Sequence, residues 1–218
     1  MTPFPEALGD DDCIQEGVNP APNVLLLACT VGDDWENSLS RVIVLRGDLV
    51  LSFDFEGEEV ASIDANSAGV AYALGEDGTV VRFDWRTPSS DAELAASVQK
   101  IIIPEVEDNG PPRRLRLLGA DVVCVGSFGQ AYRLESDSFV AMPQLMVDDE
   151  DLTIKDLAGV SASDFTVATV DGFGVRFDGR TWHRLELPTD SNLHAICRYP
   201  GQRYAVAGSN GTLLNWCR

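Results

Sequence analysis

A repeated segment constrains the fold of this chain more than any other feature. Each copy has an apolar run, a Gly or Thr, two variable residues, a glycine and a second apolar run. Four copies occupy residues 72–83, 123–134, 166–177 and 204–216. Two β-rich runs joined by a short turn that contains glycine are typical of a β-hairpin. Similarity at a fixed period predicts an architecture built from repeated units.

A fifth, degenerate copy lies near the N-terminus. Residues 25–30 match the first strand of the hairpin and residues 41–45 match the second, with a long loop, 31–40, in place of the tight turn. The residues before each turn are spaced 45, 51, 43 and 39 positions apart: Thr30, Gly75, Gly126, Thr169 and Gly208. Five units of this size account for the 218 residues.

The flanks of the hairpins complete each unit. A short apolar segment precedes every hairpin, and an outer segment follows it, ending at Pro104, Pro143 or Pro188 in three units. Proline is tolerated at the edge of a sheet, so each unit is expected to have four strands. Residues 90–100 predict a helix, with Ser90 or Asp91 as its N-cap.

The last unit stops at its third strand, and residues 3–6 match the missing fourth strand. A sheet completed by the opposite terminus closes a ring and removes exposed edges. The sequence therefore predicts an all-β fold, a five-bladed β-propeller of four-stranded antiparallel blades, with the last blade closed by the N-terminal strand. It predicts a single domain, 1–218, with blades at about 10–55, 58–105, 112–147, 152–188 and 191–218 plus 1–8.

The segment 169–179, followed by Arg-Thr-Trp, gives the repeat a family resemblance. It resembles the repeats of bacterial β-propellers of the photosystem-II-assembly-factor and Asp-box type. The resemblance implies the architecture and leaves function open, since propellers serve many functions. The Asp-box pattern is intact nowhere and only residues 178–182 approach it, so sialidase activity is not implied.

Repeated large residues are predicted to have structural roles. Trp85, Trp182 and Trp216 follow the repeat, which predicts packing within the blades. Arg82, Arg133 and Arg176 share one position on the third strand and are predicted to bond carbonyls of neighbouring blades.

The charge of the chain limits its partners. Lys and Arg number 16 and Asp and Glu 35, a formal net charge of −19. Nucleic acid and anionic membrane surfaces are therefore disfavoured, and a basic protein, a cationic ligand or a metal ion is favoured. The longest apolar run, 24–29, is far shorter than a membrane span, and the first residues lack the features of a secretory signal. Five cysteines without a C-x-x-C pair predict free thiols and a cytoplasmic protein.

In the predicted propeller, 20 of the 35 acidic residues fall on loops of one face. Two aromatic residues accompany them there: Trp35, in the one expanded hairpin loop, and Phe128. Trp35 is expected either to anchor a partner or to fold back over the channel mouth, whereas the acids indicate either a docking surface or solubility alone. The predicted partner-binding residues are Asp33, Asp34, Trp35, Glu36, Glu76, Asp77, Phe128, Asp148, Asp149, Glu150 and Asp171.

The sequence predicts no enzyme, no cofactor and no metal site. No nucleophile elbow, zinc-protease, phosphate-binding or dinucleotide-binding motif occurs. His183 and His194 have no nucleophile at a recognisable spacing, and the acidic run 148–151 lacks the spacing of a calcium loop.

Two classes of function remain. The first is a non-enzymatic, protein-binding module, monomeric when free: an acidic inhibitor with the profile of an immunity protein, which neutralises a basic toxin or enzyme by covering its active site. The alternatives are a small five-bladed carbohydrate-binding lectin and an assembly chaperone. A lectin needs equivalent residues in every blade, and the paired turn residues differ: Glu76-Asp77, Ser127-Phe128, Val170-Asp171 and Ser209-Asn210.

Overall fold

The computed structural model describes residues 13–32, 39–55, 59–147 and 150–217. The chain divides into two compact units, Met1–Pro104 and Glu105–Arg218. Each unit is built from antiparallel sheets in which neighbours in sequence are neighbours in space. We call each sheet of three or four strands a blade and number the blades in chain order. None of the helices in these ranges is long and apolar enough to cross a membrane.

The first unit holds blades 1 and 2, each with four strands in sequence order. Blade 1 is formed by β1 (Cys13–Ala21), β2 (Val24–Val31), β3 (Leu39–Arg46) and β4 (Leu49–Phe55). Blade 2 is formed by β5 (Val60–Ala65), β6 (Val70–Gly75), β7 (Thr79–Asp84) and β8 (Gln99–Ile102), with helix α1 (Asp91–Ala96) between its last two strands.

The second unit begins with a short helix, α2 (Val106–Asn109), and holds three more blades. Blade 3 is formed by β9 (Pro112–Leu118), β10 (Asp121–Gly126), β11 (Ala131–Glu135) and β12 (Ser138–Ala141). A small hairpin follows, β13 (Met146–Val147) and β14 (Glu150–Asp151). Blade 4 is formed by β15 (Ile154–Ser161), β16 (Asp164–Thr169), β17 (Gly174–Phe177) and β18 (Trp182–Leu185), and blade 5 by β19 (Leu193–Tyr199), β20 (Arg203–Gly208) and β21 (Leu213–Cys217). The predicted closing strand, 3–6, lies outside the described residues.

The cores lie between the faces of successive blades within each unit. Val, Leu, Ile and Phe side chains of blades 1 and 2 form one cluster, and those of blades 3 and 4 form another. The predicted packing of the tryptophans is confirmed. Trp85 is 2% exposed, Trp182 meets Phe165 edge to face, and Trp216 stacks on Tyr204. Burial of such side chains is the main favourable contribution to folding.

The repeat register is visible in the pairing of the first two strands. In all five blades a bulge follows the same pair, which is Ile14 with Cys29 in blade 1, Val60 with Gly75 in blade 2 and Pro112 with Gly126 in blade 3. The second residue of the equivalent pair is Thr169 in blade 4 and Gly208 in blade 5. The residue of blade 1 equivalent to Gly75 is therefore Cys29, and the predicted Thr30 is wrong by one position.

Helix α1 begins where the sequence predicts it but ends at Ala96, short of the predicted residue 100, and Gln99 and Lys100 begin β8. Ser90 is its N-cap and accepts a hydrogen bond from the Glu93 backbone N–H at 3.3 Å. Asp91 on the first turn accepts a hydrogen bond from the Ser52 N–H at 2.8 Å. The helix thus shields the edge strand of blade 1, which would otherwise present an unpaired backbone group.

Carboxylates link the first strands of adjacent blades at the bulge. Glu16 accepts a hydrogen bond from the Ile63 N–H at 2.8 Å, and Asp156 accepts one from the Ile196 N–H at 3.0 Å. Asp156 is buried and also pairs with Arg114 at 3.4 Å and Arg116 at 3.1 Å. The first strand of each blade is an edge strand, so alternate N–H groups of it point away from its own sheet, and the acidic residue of the preceding blade accepts from one of them.

The predicted role of the third-strand arginines is wrong for two of them. Arg176 pairs with Asp164 of its own blade at 3.1 Å, and Arg133 pairs with Glu135. An acidic residue close by in the same sheet is a stronger partner for a guanidinium than a distant carbonyl. Arg46 instead makes the predicted kind of bond, donating to the Trp85 and Pro88 carbonyls of the next blade.

Candidate functional site

The structure places only part of the predicted binding residues. Asp33, Asp34, Trp35, Glu36, Asp148 and Asp149 lie outside the described residues. For Glu150 and Asp171 the backbone alone is described, in β14 and in the 3₁₀ turn Val170–Gly172. Glu76, Asp77 and Phe128 are described in full, each in the turn between the second and third strands of its blade.

Asp77 has a structural role in the turn of blade 2. Its carboxylate accepts hydrogen bonds from the Thr79 N–H at 2.9 Å and from the Thr79 hydroxyl at 2.8 Å. The neighbouring Glu76 N–H donates to the Glu59 carbonyl at 3.0 Å. Such Asp-centred turns are common where a tight turn is followed by Gly-Thr. Asp77 therefore closes its own hairpin while contributing negative charge to this end of the blade.

Phe128 presents an apolar ring at the turn of blade 3. The residue has φ 52° and ψ 33°, and its side chain is 53% exposed. Its carbonyl accepts a hydrogen bond from the Gln144 amide at 2.8 Å. Gly129 donates to the Leu152 carbonyl and accepts from the Leu145 N–H. The backbone of the turn is therefore held on both sides while the ring stays accessible.

A cleft that the sequence does not reveal lies behind this turn. We call it the Gln130 cleft; it has a volume of about 210 Å³ and is lined mainly by Glu105, Asn109, Gln130, Tyr132, Met142 and Gln144. The Gln130 amide donates to the Asn109 carbonyl at 3.0 Å and to the Gly110 carbonyl at 2.7 Å. The Asn109 amide donates to the Tyr132 hydroxyl at 3.3 Å. Burial, with smaller contributions from Cys124 and Glu105, raises the pKa of Tyr132, so the hydroxyl stays neutral at physiological pH.

Gln130 is left with one unsatisfied atom. Only 5% of the residue is exposed, and its Oε1 atom is buried without a hydrogen-bond partner. Buried polar atoms are nearly always paired, and a lone one carries a penalty of about 1–3 kcal/mol. One sequence feature could have drawn attention to Gln130. It places a long amide side chain at the turn position where blades 2 and 5 carry Thr79 and Thr212.

The first unit contains a larger cleft, of about 580 Å³, between β4, α1 and β8. Its polar lining includes Asp54 and Asp91, which pair with the Arg41 guanidinium and the Ser52 N–H, both at 2.8 Å. These two carboxylates already bond to groups of the protein. This cleft is therefore a weaker candidate for a ligand site than the Gln130 cleft.

The two histidines contact side chains on blades 4 and 5. His183 lies 2.7 Å from Asp178, whose pKa is lowered first by the hydrogen bond from the Thr181 N–H and then by His183. His194 Nε2 lies 2.8 Å from the Ser209 hydroxyl, a nucleophile–base distance that the sequence did not predict. Among the described contacts of His194, no carboxylate orients the ring as a catalytic triad requires.

Metal ligands are not grouped in the described part of the chain. No set of three or more His, Cys, Asp or Glu side chains there is placed to hold an ion. Cys29 and Cys124 are buried and Cys13 and Cys197 are exposed, and none of these four forms a disulfide, as predicted. Burial raises the pKa of the Cys124 thiol, which keeps it protonated and unreactive.

Comparisons with known proteins identify the fold. No family model and no curated protein matches this sequence. Among solved structures, the WD40 β-propeller domain of Doa1 is similar with a TM-score of 0.69 and 13% identity, over 95% of this chain and 66% of that one. YCF48 bound to a D1 peptide is similar with a TM-score of 0.62 and 15% identity, again over 95% and 66%.

A third similar structure is the β-propeller domain of Cps50 (Swd1) from Myceliophteria thermophila. It has a TM-score of 0.65 and 12% identity, over 91% of this chain and 67% of that one. The chain thus spans about two thirds of the length of these proteins. Identities this low bear on architecture alone. Together with the five antiparallel sheets, they confirm the prediction: the fold is a β-propeller, and its repeats are five blades.

Proposed function

We propose that this chain is a non-enzymatic, protein-binding β-propeller that neutralises a basic protein by covering its active site. The observation that carries the proposal is Phe128. It is a large apolar side chain, 53% exposed, held on a left-handed backbone that non-glycine residues seldom adopt. Strained, exposed aromatic residues on anchored turns are typical of binding surfaces.

The charge of the chain supports a basic partner. The net charge of −19 and the isoelectric point of about 4.2 attract cationic surfaces over about a Debye length, near 8–10 Å at physiological salt. The inhibition mechanism would be steric and electrostatic: the acidic loops occupy the entrance of the partner's active site and exclude an anionic substrate. This is the profile of an immunity protein acting on a toxin domain.

Two further observations favour one protein ligand. A similar propeller, YCF48, is known in complex with a peptide, which makes a protein ligand reasonable for this chain too. The turns of blades 3 and 5 share their backbone conformation and carry Phe128 and Asn210 at the same position. A lectin with one sugar site in each blade would need matching side chains there. An assembly chaperone, the other alternative, would bind an extended segment of its client.

The proposal includes the absence of catalysis. The His194–Ser209 pair is the contact in the described residues that most resembles catalytic machinery. We expect ester, glycoside and phosphate-ester substrates to remain unhydrolysed by the purified protein. Turnover of p-nitrophenyl acetate above that of a His194→Ala control would contradict this part of the proposal.

The partner can be identified by capture from the native host on immobilised protein, followed by kinetics with the purified partner. We expect Phe128→Ala to weaken binding by about 2 kcal/mol, roughly 30-fold, mainly through faster dissociation. Tyr199, an exposed aromatic residue at the opposite end of a strand in blade 5, is the matched control, and Tyr199→Ala should leave affinity unchanged. Equal effects of the two substitutions would exclude the turn of blade 3 from the interface.

The acidic loop of blade 1 provides a second test in the same assay. We expect Trp35→Ala to act on dissociation and to weaken binding by about 2 kcal/mol if it is a hot spot. We expect reversal of Asp33 and Asp34 to Lys to slow association, and added salt to slow association more than it speeds dissociation. Binding that is insensitive to salt and to these substitutions would overturn the proposed basic partner.

A further inference from the structure

The Gln130 cleft combines features that separate it from an ordinary surface depression. Its lining residues come from α2 and the residue before it, from the end of the blade-3 turn, and from β11 and the residues after β12. Its volume of about 210 Å³ is below the ~300–1,000 Å³ of typical small-molecule sites. A space of this size suits a single side chain.

The free hydrogen-bonding capacity of Gln130 is one-sided. Both hydrogens of the Gln130 amide are already donated, to the Asn109 and Gly110 carbonyls, so only its Oε1 atom remains to be paired. This assignment of the amide is fixed, because the reverse orientation would set Oε1 against two carbonyl oxygens. Glu105, which is exposed, adds a carboxylate to the same lining. Gln130 and Glu105 therefore offer acceptors to a ligand that donates, beside the Tyr132 hydroxyl, which accepts from Asn109 and keeps its own hydrogen.

The charge of the lining is also one-sided. Among the described residues that line the cleft, Glu105 is the one charged side chain, and none is Lys, Arg or His. One carboxylate and neutral oxygens are too few for a hard metal ion, which takes six or more oxygen ligands. A guanidinium carries donors in several directions in one plane and is more weakly hydrated than an ammonium, so it can bond an amide oxygen and a carboxylate in a partly apolar cleft.

We propose that the Gln130 cleft receives the side chain of an arginine from a protein partner, with Gln130 Oε1 and the Glu105 carboxylate as its acceptors. This inference deepens the proposed function and rests on it, because it assumes that the partner is a basic protein. Since Oε1 is closed to bulk water in the free chain, one lining side chain must move as the guanidinium enters. Exposed Glu105, on a backbone with φ 60°, is the one we expect to move.

Nuclear magnetic resonance of the ¹⁵N-labelled full chain tests the cleft without the partner. The probe is N-acetyl-arginine amide, compared with the corresponding citrulline and lysine amides. We expect the arginine amide to shift the Gln130 side-chain resonances saturably, with a dissociation constant in the millimolar range. The citrulline amide, which has the same shape without the charge, should bind at least about fivefold more weakly, and the lysine amide should also bind more weakly.

Two matched substitutions remove one charge each. Glu105→Gln should weaken binding of the arginine amide at least about fivefold, whereas Asp108→Asn, three residues away and exposed outside the lining, should change it less than about twofold. The Gly110 amide lies beside Gln130 and should also shift when the arginine amide binds the native chain. Gln130→Met should abolish that shift. If this variant does not fold, Glu105→Gln carries the test alone. Unchanged backbone spectra of the two charge variants establish that they are folded.

Several results would overturn the inference. These are the absence of a shift at Gln130, equal binding of the citrulline amide, tighter binding of the lysine amide, saturation by spermidine at lower concentration than by the arginine amide, and equal effects of the two charge substitutions. Failure of the proposed function is distinguishable, because a partner bound without salt dependence would exclude a basic ligand whatever the arginine amide does.

Discussion

The turns of blades 3 and 5 have the same backbone and different surroundings. Both read Ser-x-Gly, and the central residue is left-handed in each, with φ 52° at Phe128 and 57° at Asn210. Both turns are closed by the same pair of backbone hydrogen bonds. The blade-3 turn, however, is packed against residues 145 and 152, whereas none of the described residues lies within 4 Å of a Cβ atom placed on Gly211.

The side chains at the centre of the two turns explain what this difference means. Asn adopts the left-handed region readily, because its short polar side chain bonds locally, and Phe does so with strain of about 1–2 kcal/mol. The repeat thus supplies a common turn. Blade 3 departs from it at Phe128, where the left-handed backbone carries a conformational penalty. We infer that departures from the repeat mark functional positions in this chain better than the repeated residues do.

Of the changes that test this comparison, deletion of residues 1–8 should have the largest effect on the free energy of unfolding. If these residues supply the fourth strand of blade 5, their loss exposes the edge of β21 and should lower the free energy of unfolding by several kcal/mol. Urea denaturation measures the loss. Hydrogen exchange should show it in β21, while β11 of blade 3 keeps its protection. A truncated chain as stable as the full one would exclude this closure.

Alanine substitution of the two turn glycines should have the second-largest effect on stability and should distinguish the two turns. Gly129 has φ 68°, and its new Cβ would lie far inside contact distance of the Leu145 carbonyl oxygen. Gly129→Ala should therefore lower the free energy of unfolding by about 3–5 kcal/mol, against about 1 kcal/mol for Gly211→Ala, which meets backbone strain alone. Thermal denaturation of both variants provides the measurement. Similar losses would mean that residues outside the described ranges pack on the blade-5 turn as well.

An exchange of the central residues should have the smallest effect on stability and the most direct bearing on function. Phe128→Asn should raise the free energy of unfolding by up to about 1 kcal/mol, since it relieves strain at an exposed site. The same variant should lose partner affinity as Phe128→Ala does. Asn210→Phe is the reciprocal control and should lower stability by a similar amount. A destabilised Phe128→Asn variant would show that the ring serves the fold.

The fold was predictable from the sequence because every blade repeats its hairpin. The positions of Gly75, Gly126, Thr169 and Gly208 gave the register directly, and Ser90 marked the start of α1. Blade 1 was placed one residue out because its long loop hides the turn that fixes the register elsewhere. Local sequence patterns decide hairpins and caps, so these features needed no tertiary information.

The candidate site was much less predictable. Phe128 was recognised from its turn, but the Gln130 cleft depends on how residues 105–110 pack behind that turn, and this segment belongs to no repeat. Arg133 and Arg176 were misassigned because their partners, Glu135 and Asp164, lie in the same sheet. The Arg176–Asp164 pair joins neighbouring strands, and sequence spacing alone does not give that distance. Arg133 and Glu135 lie two residues apart on β11, so the sequence did contain the signal for their pairing.

The carboxylates at the strand bulges have a consequence for the evolution and redesign of this chain. Glu16 and Asp156 each satisfy an amide, of Ile63 and Ile196 respectively, that belongs to the following blade. Blade 2 or blade 5 transplanted without its predecessor would therefore carry a partly or fully buried amide that has lost its acceptor. For blades 1 and 4 the inheritable module is therefore staggered, running from the carboxylate to the amide of the next blade. Ser62, Arg114 and Ala195 occupy the same position in the other blades, so a consensus blade needs an acidic residue there only if it is derived from blade 1 or blade 4.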